Sequence, residues 1–378
     1  MTGVDTMTGP LSRAAIHRLF EPLSIGRITA RNRIAVAPMT RVSAADTGHI
    51  TARMGRYYAD FAAGGFGLIV TEGLYTDQAF SQGYHHQPGL ADETQRDSWR
   101  PVVESVHARG AKLIAQLMHA GALSQGNRFR TGTRGPSAIR PTGKQMPFYR
   151  GEGDYALPAA MSEAEIGEAI AGFAAAAVRA REAGFDGVEI HGANGYLLDQ
   201  FLSEGINQRS DGYGGDVAAR LRLTLETAHA VRDAVGDDFT VGVRSSQGKV
   251  NDFTHKWRGE REASEIFGLL GALPIDYIHT TEFEAWRPAF DTGDSLAALA
   301  RRDSGVPILA NGSLHDPARA VEMIADGHAD MITLGRGALT HADWPRRVSD
   351  GEALEDFDPA ILSPIADLAN ADRFRERA

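Results

Sequence analysis

A serial pattern constrains this chain more than any single residue does. Short apolar stretches rich in strand formers recur eight times, each followed by a segment of helical character. They fall at residues 33–37, 67–71, 112–116, 187–190, 240–243, 276–280, 307–310 and 330–334. None alternates cleanly between apolar and polar, as expected of parallel strands covered on both faces. Eight strand–helix units in series suit an α/β fold, specifically a closed (β/α)8 TIM barrel. A doubly wound open sheet can also use eight strands, so the repeat alone leaves closure open.

Two helices have legible ends. At residues 162–184, Ser162 and Glu165 form a capping-box pattern and Gly184 supplies a stop. Ile166, Ile170, Phe173, Ala174 and Ala177 fall on one face of that helix. Another helix starts at Asp92, with Gln95 three residues on, and should bury Trp99, Val102, Val103 and Val106. No linker divides the chain. The expectation is one barrel domain over residues 19–348, an N-terminal extension over 1–18 and a C-terminal tail over 349–378. The irregular stretch 124–160, rich in Gly and Pro, follows the third strand. On a barrel it would lie as a lid over the C-terminal face, where active sites form.

Composition narrows the classes. A length of 378 residues is in range for a barrel with loop insertions. The chain is 43% hydrophobic and 23% charged, a globular balance. Its net charge of −10 argues against a nucleic-acid surface. With no cysteine, disulfides, thiolate metal sites, iron–sulfur clusters and a thiol nucleophile are excluded. The first twenty residues lack an apolar signal core, and no run approaches the length of a membrane span. The expectation is a cytoplasmic protein acting on a small molecule, a monomer or homo-oligomer, with no nucleic-acid or membrane partner.

On a barrel, chemistry stands at the C-terminal strand ends. Here these carry Pro38-Met39-Thr40, Glu72-Gly73, Gln116, His191 with Asn194 and Tyr196, Arg244, Thr281-Glu282, Asn311-Gly312 and Gly335-Arg336. The set is short of carboxylates for acid–base work and rich in amides, with glycines after strands seven and eight. That is the usual barrel phosphate site, where backbone N–H groups can approach an anion. Amide donors and acceptors plus an Arg suit a planar heteroaromatic ring that gains negative charge, and a reduced flavin mononucleotide (FMN) fits.

Five segments then show a family likeness. LFEPLSIGRITARNRIAVAPMTR (19–41), EIHGANGYLLDQFLSEGINQRSDGYGG (189–215), TVGVRSS (240–246), ILANG (308–312) and ITLGRGAL (332–339) resemble, in order and spacing, the old yellow enzyme family. Its members are FMN-dependent ene-reductases on a barrel. The resemblance implies non-covalent FMN, reduction by NADPH or NADH, and electrophilic alkenes (enones, maleimides, nitroalkenes) as substrates. It implies that Pro38 and Met39 cover one side of the flavin, that Thr40 offers a hydroxyl near N5 and O4, and that Gly73 lies close to the ring. Gln116 would pair with flavin N3 and O2, and Arg244 would face N1 and O2. Asn311, Gly312, Gly335 and Arg336 would hold the phosphate. His191 and Asn194 would bind the substrate oxygen, and Tyr196 would protonate the substrate carbon. The stretches 245–257 and 281–290 depart from the family pattern. His119 is expected near the pocket without a catalytic role. One or more of the lid cations Arg128, Arg130, Arg134, Arg140, Lys144 and Arg150 is expected to meet the 2′-phosphate of NADPH.

Two other classes fit a barrel. A metal-dependent hydrolase would be expected to end its first strand in closely spaced His ligands; this strand ends in Pro-Met-Thr. A non-catalytic flavin-binding protein would have no use for His191, Asn194 and Tyr196 together.

Overall fold

The computed structural model describes residues 13–377. All eight expected strands are present: β1 (Ile34–Val36), β2 (Leu68–Val70), β3 (Lys112–Met118), β4 (Gly187–Asn194), β5 (Thr240–Lys249), β6 (Tyr277–Thr281), β7 (Ile308–Asn311) and β8 (Met331–Leu334). Each pairs in parallel with the next, and β8 pairs with β1 through Ile332↔Ile34. The sheet is therefore closed, and the open alternative is excluded. Strands β3, β4 and β5 run past their apolar cores into polar sequence. They stay paired there, as Arg244↔His191 and Lys249↔Asn194 record.

Register sorts the side chains. Val188, Ile190, Val241, Val243, Ile278, Ile308 and Ile332 point out and join the large core under the helices. Ala35, Leu68, Ile114, Tyr277, Leu309 and Met331 point in and fill the lower barrel. Below them a hairpin, Leu23–Ile25 with Ile28–Ala30, inserts Ile25 and Ile28 as a plug. So the interior is packed at one end and becomes polar toward the other, which is the division a barrel enzyme needs.

The outer ring is α1 (Ala52–Ala63), α2 (Glu93–His107), α3 (Glu163–Ala183), α4 (Val217–Val235), α5 (Glu260–Gly271), α6 (Leu296–Ser304), α7 (Pro317–Ala325) and α8 (Trp344–Asp350). The legible ends are where the chain put them. Asp92 accepts from Gln95 N at 2.8 Å, Ser162 and Glu165 form the reciprocal capping box, and Gly184 closes α3 at φ 96°. Each such N-cap stabilises its helix by about 1 kcal/mol. On α3 the buried face is Ile166, Ala169, Phe173, Ala176, Ala177 and Ala180; Ile170 and Ala174 sit at its edge.

The segment 124–160 has only fragments of regular structure, and its Met146, Phe148 and Tyr149 border a cavity on the C-terminal face of the barrel. Residues beyond α8 return to that same face. Ala366 N donates to Phe148 O at 2.9 Å, Leu368 N donates to Ser43 Oγ at 2.8 Å, and Arg150 pairs with Asp367 at 2.9 Å. The C-terminal segment is thus a strap laced to the lid. Of the N-terminal extension, residues 1–12 lie outside the described residues. Among the described residues, no helix is long and apolar enough to cross a membrane.

Candidate active site

Two contiguous cavities open at the polar end of the barrel. The smaller, ≈ 390 Å³, lies over its centre; the larger, ≈ 680 Å³, lies between the ends of β6, β7 and β8 and the loop after β5. Pro38, Met39, Thr40, Gly73 and Gln116 line the smaller one, as do His191, Tyr196 and Arg244. Asn311 and Gly312 line the larger one. Asn194, Gly335 and Arg336 border both. Thr281 and Glu282 line the larger one as well, whereas Glu72 lines neither; it is buried and accepts from Arg41 N at 2.9 Å.

β4 carries His191 inward and then breaks into a tight turn. Asn194 sits in the left-handed region at φ 62°, a conformation that Asn tolerates better than most residues. Ser246 Oγ accepts from Asn194 N at 2.8 Å, and Val250 N donates to Asn194 O at 3.0 Å. Gly195 N donates to Asp199 Oδ2 at 2.6 Å, and Asp199 is paired with buried Lys249. The end of β5, through Ser246 and Lys249, and Val250 just after it therefore anchor the turn that presents Asn194. Tyr196 stands at the N-cap position of the following short helix, Leu197–Leu202, without a side-chain capping bond, and its ring packs edge-on with that of His191, centroids 5.0 Å apart.

The electrostatics give these groups fixed protonation. Burial, then the Arg244 cation, pulls the His191 imidazole down to about 3, so it is neutral. Its Nδ1 is buried without a partner. Burial lifts the Tyr196 phenol well above its usual value, against a hydrogen bond from Tyr84 that opposes the rise. The two hydroxyls are 2.5 Å apart.

Beneath the smaller cavity lies a buried polar layer. Gln116 Nε2 donates to Glu189 Oε1 at 2.8 Å, Tyr277 OH donates to Glu189 Oε2 at 3.2 Å, and His279 Nδ1 is 2.8 Å from the same oxygen. Burial alone would raise the Glu189 carboxyl, but His279, Arg244 and Gln116 outweigh it and hold it at about 2. Arg244 Nη2 donates to Asn311 Oδ1 at 3.2 Å, while its Nε is buried without a partner. Thr281 also donates to Asn311 Oδ1, and Asn311 Nδ2 donates to Thr333 O. The Asn311 side chain is thus engaged in holding Arg244, a job its place in a phosphate loop does not suggest.

Two glycines sit in close contact with their surroundings. A Cβ on Gly73 would lie 2.6 Å from Met118 Sδ and 3.0 Å from Met118 Cβ, so any side chain there would have to displace Met118. Gly312, at φ 146°, would place a Cβ 2.4 Å from Glu282 O. On the rim, exposed Arg336 stacks over Phe283 at 5.1 Å.

Other expectations fare differently. His119 lines neither cavity; its Nδ1 accepts from Gly121 N at 3.1 Å, and Nε2 faces Asp77 at 4.0 Å. None of the six lid cations lines either cavity. Arg134 is paired with Glu165, Arg150 with Asp367, and Arg128 and Arg140 donate to the carbonyls of Asp46 and Tyr155. Four of the six are thus engaged within the lid or with neighbouring segments, and the 2′-phosphate contact remains an expectation of the sequence.

The strand-end reading missed several residues at the site. Tyr84 reaches Tyr196 from a loop, Met146, Phe148 and Tyr149 come from the lid, and Leu362 comes from the strap. Loops carry no periodicity, so nothing local marks these. Glu189 could have been found: an acid flanked by Val188 and Ile190 in a covered strand is an anomaly that asks for a partner.

Comparison with known proteins agrees with this geometry. Residues 18–355 match the model of the NADH:flavin oxidoreductase / NADH oxidase family. A probable flavin mononucleotide-dependent alkene reductase of Leishmania infantum is 34% identical over 356 residues, covering 92% of this chain and 94% of that one. The NADH oxidase of Thermoanaerobacter brockii is 31% identical over 346 residues, but 89% of this chain spans only 51% of that protein. Among solved structures, the old yellow enzyme homologue of Zymomonas mobilis superimposes with a TM-score of 0.82 at 31% identity, covering 89% of this chain and 94% of that one. With nearly its whole length matched in sequence and in fold, the chain belongs to the NADH:flavin oxidoreductase / NADH oxidase family, among the old yellow enzymes.

Proposed function

We propose that this protein is an FMN-dependent NAD(P)H oxidoreductase that reduces activated C=C bonds. The observation that carries the reading is convergence. Neutral His191 with a free buried nitrogen, Asn194 and protonated Tyr196 all face one cavity, and Arg244 and Gln116 form its floor. The cofactor fits what the residues leave open. Arg244 Nε is a buried donor with no partner in the protein, suited to the pyrimidine edge of the ring. Gly312, Gly335 and Arg336 border the larger cavity, suited to the phosphate.

Bound FMN would supply the redox chemistry, hydride transfer between nicotinamide and an electrophilic alkene. The chain's own residues do the rest. His191 and Asn194 donate hydrogen bonds to the carbonyl or nitro oxygen of the substrate, where negative charge develops. Tyr84 donates to Tyr196, which turns the Tyr196 proton toward the cavity and stabilises the phenolate left behind. Tyr196 protonates the α-carbon. With one cavity above the floor and no second nucleotide-binding unit among the described residues, nicotinamide and alkene take turns, giving ping-pong kinetics.

Purified protein is expected to be yellow, with about one non-covalent FMN per chain. It should oxidise NADPH or NADH in the presence of an enone, a maleimide or a nitroalkene. A colourless protein that cannot be reconstituted with FMN would overturn the reading. Arg244→Ala is expected to lower FMN retention and shift the flavin potential to more negative values, since a permanent cation is lost from the floor. Unchanged occupancy and potential would reduce Arg244 to a partner of Asn311.

A further inference from the structure

Glu189 has no exposed surface, yet it is an acid in the middle of a barrel. As a contribution to stability a buried charge is a poor choice, because packed apolar residues of the same volume serve as well or better. What it does is impose polarity on its neighbour. A carboxylate only accepts hydrogen bonds. Gln116 must therefore turn its amide nitrogen toward Glu189, and a flip would set two acceptor oxygens against each other. The other two donors maintain the arrangement. His279 Nδ1 and Tyr277 OH both face Glu189 Oε2, and His279 Nε2 is 2.9 Å from Thr333 Oγ1. Burial lowers the His279 imidazole and so favours its neutral form, with Nδ1 toward Glu189 and Nε2 toward Thr333 Oγ1. The layer thus keeps one full negative charge at Glu189.

Gln116 lines the smaller cavity, and with its nitrogen committed downward it offers upward an oxygen and its second N–H. An acceptor beside a donor is complementary to an imide edge, N–H beside C=O, and to no edge of the opposite polarity. We propose that Glu189 is a positioning residue for the cofactor: it locks the Gln116 amide in the polarity that reads the flavin N3–H/C2=O edge, and as a buried anion below Gln116 it opposes the negative charge that reduction adds. This inference rests on the FMN reading.

The test uses apo-protein reconstituted with FMN or with 3-methyl-FMN, which lacks the N3 proton. Dissociation constants and midpoint potentials are read for the wild type, Glu189→Gln and Tyr277→Phe. The wild type should favour FMN over the 3-methyl analogue by about tenfold or more, since the analogue leaves a buried acceptor unpaired. Glu189→Gln permits either amide orientation, so the part of that preference due to the unpaired Gln116 oxygen should be lost, and the preference should fall measurably, leaving only what the bulk of the methyl group imposes. Its potential should rise as the reduced form gains about tenfold over the oxidised form, ~30 mV for a two-electron couple. Tyr277→Phe keeps the ring packed on Gly242, where a Cβ would lie 2.1 Å from Tyr277 Cζ. It removes one donor from the carboxylate, so the potential should move the other way, downward, with the preference for FMN kept.

Opposite shifts from two neighbouring core positions are not what a loosened barrel produces. A general loosening weakens both flavins alike. If Glu189→Gln keeps both the preference and the potential, Glu189 is packing and the inference fails. If Glu189→Gln does not fold, the sign of the Tyr277→Phe shift decides: downward supports the inference, and none or upward overturns it. A wild type that binds neither flavin overturns the cofactor reading itself, a result separate from any difference between variants.

Discussion

Tyr196→Phe is expected to slow enone reduction by ~10²–10⁴-fold, the usual worth of a positioned general acid, while reduction of the flavin by NAD(P)H stays nearly intact. Reduction of the flavin delivers no proton to a substrate carbon, and alkene reduction does. The substitution is suited to the question because it keeps the ring that packs against His191 at 5.0 Å and deletes only the hydroxyl. It leaves the Tyr84 hydroxyl, buried and formerly 2.5 Å from that of Tyr196, without its partner. That costs about 1–3 kcal/mol of stability and touches no group on the cavity floor. Burial keeps Tyr196 protonated, so the proton is available throughout the neutral range. Nitroalkenes should suffer less, because the nitronate formed from them is stable enough to leave and take its proton from water. Stopped-flow traces of the two half-reactions separate these effects. Were flavin reduction to slow while enone turnover stayed intact, Tyr196 would not be the proton donor.

The strands were legible because a parallel strand covered on both faces has to be an apolar run, and Val188, Val241, Ile278, Ile308 and Ile332 are such runs. Closure was not legible, because it rests on β8 pairing with β1, a contact between residues about 300 positions apart. The strand-end residues were readable for the same reason as the strands: a polar group directly after an apolar run stands at the mouth of the barrel. What escaped was of two kinds. Tyr84, Tyr149 and Leu362 reach the site from loops whose course no local pattern specifies. Asn311 was visible, but its engagement with Arg244 was not, because hydrogen-bond partners are a property of the assembled layer. Thr40, too, finds its partner, Tyr149, in the lid.

The same dependence on assembled partners makes Lys249→Met the substitution with the largest expected cost to stability, about 3–5 kcal/mol at neutral pH. Lys249 is the buried cation paired with fully buried Asp199, and it comes from the part of β5 that sequence patterning reads as loop. Met replaces the stem and removes the charge, leaving Asp199 with the Gly195 N–H as a remaining donor. Burial already raises the Asp199 carboxyl above its ordinary value, with Lys249 opposing the rise. Without Lys249 it should rise further. A carboxyl raised in the folded state contributes stability that is fully present below its unfolded value and is lost as pH rises through its folded value. The deficit of the variant should therefore be widest at and above neutrality and should narrow on acidification, as Asp199 takes up a proton in the folded protein. Urea unfolding of wild type and variant at pH 5 and pH 8 measures the difference. Adding Asp199→Asn to Lys249→Met should recover much of the loss at pH 8, since a neutral amide still accepts from Gly195 N–H. An equal deficit at both pH values, with no recovery in the double variant, would mean that Lys249 acts through packing alone. The pair also supports the site. Lys249 precedes Val250, which holds the carbonyl of Asn194, so the single variant should bind enones more weakly even at temperatures where it remains folded.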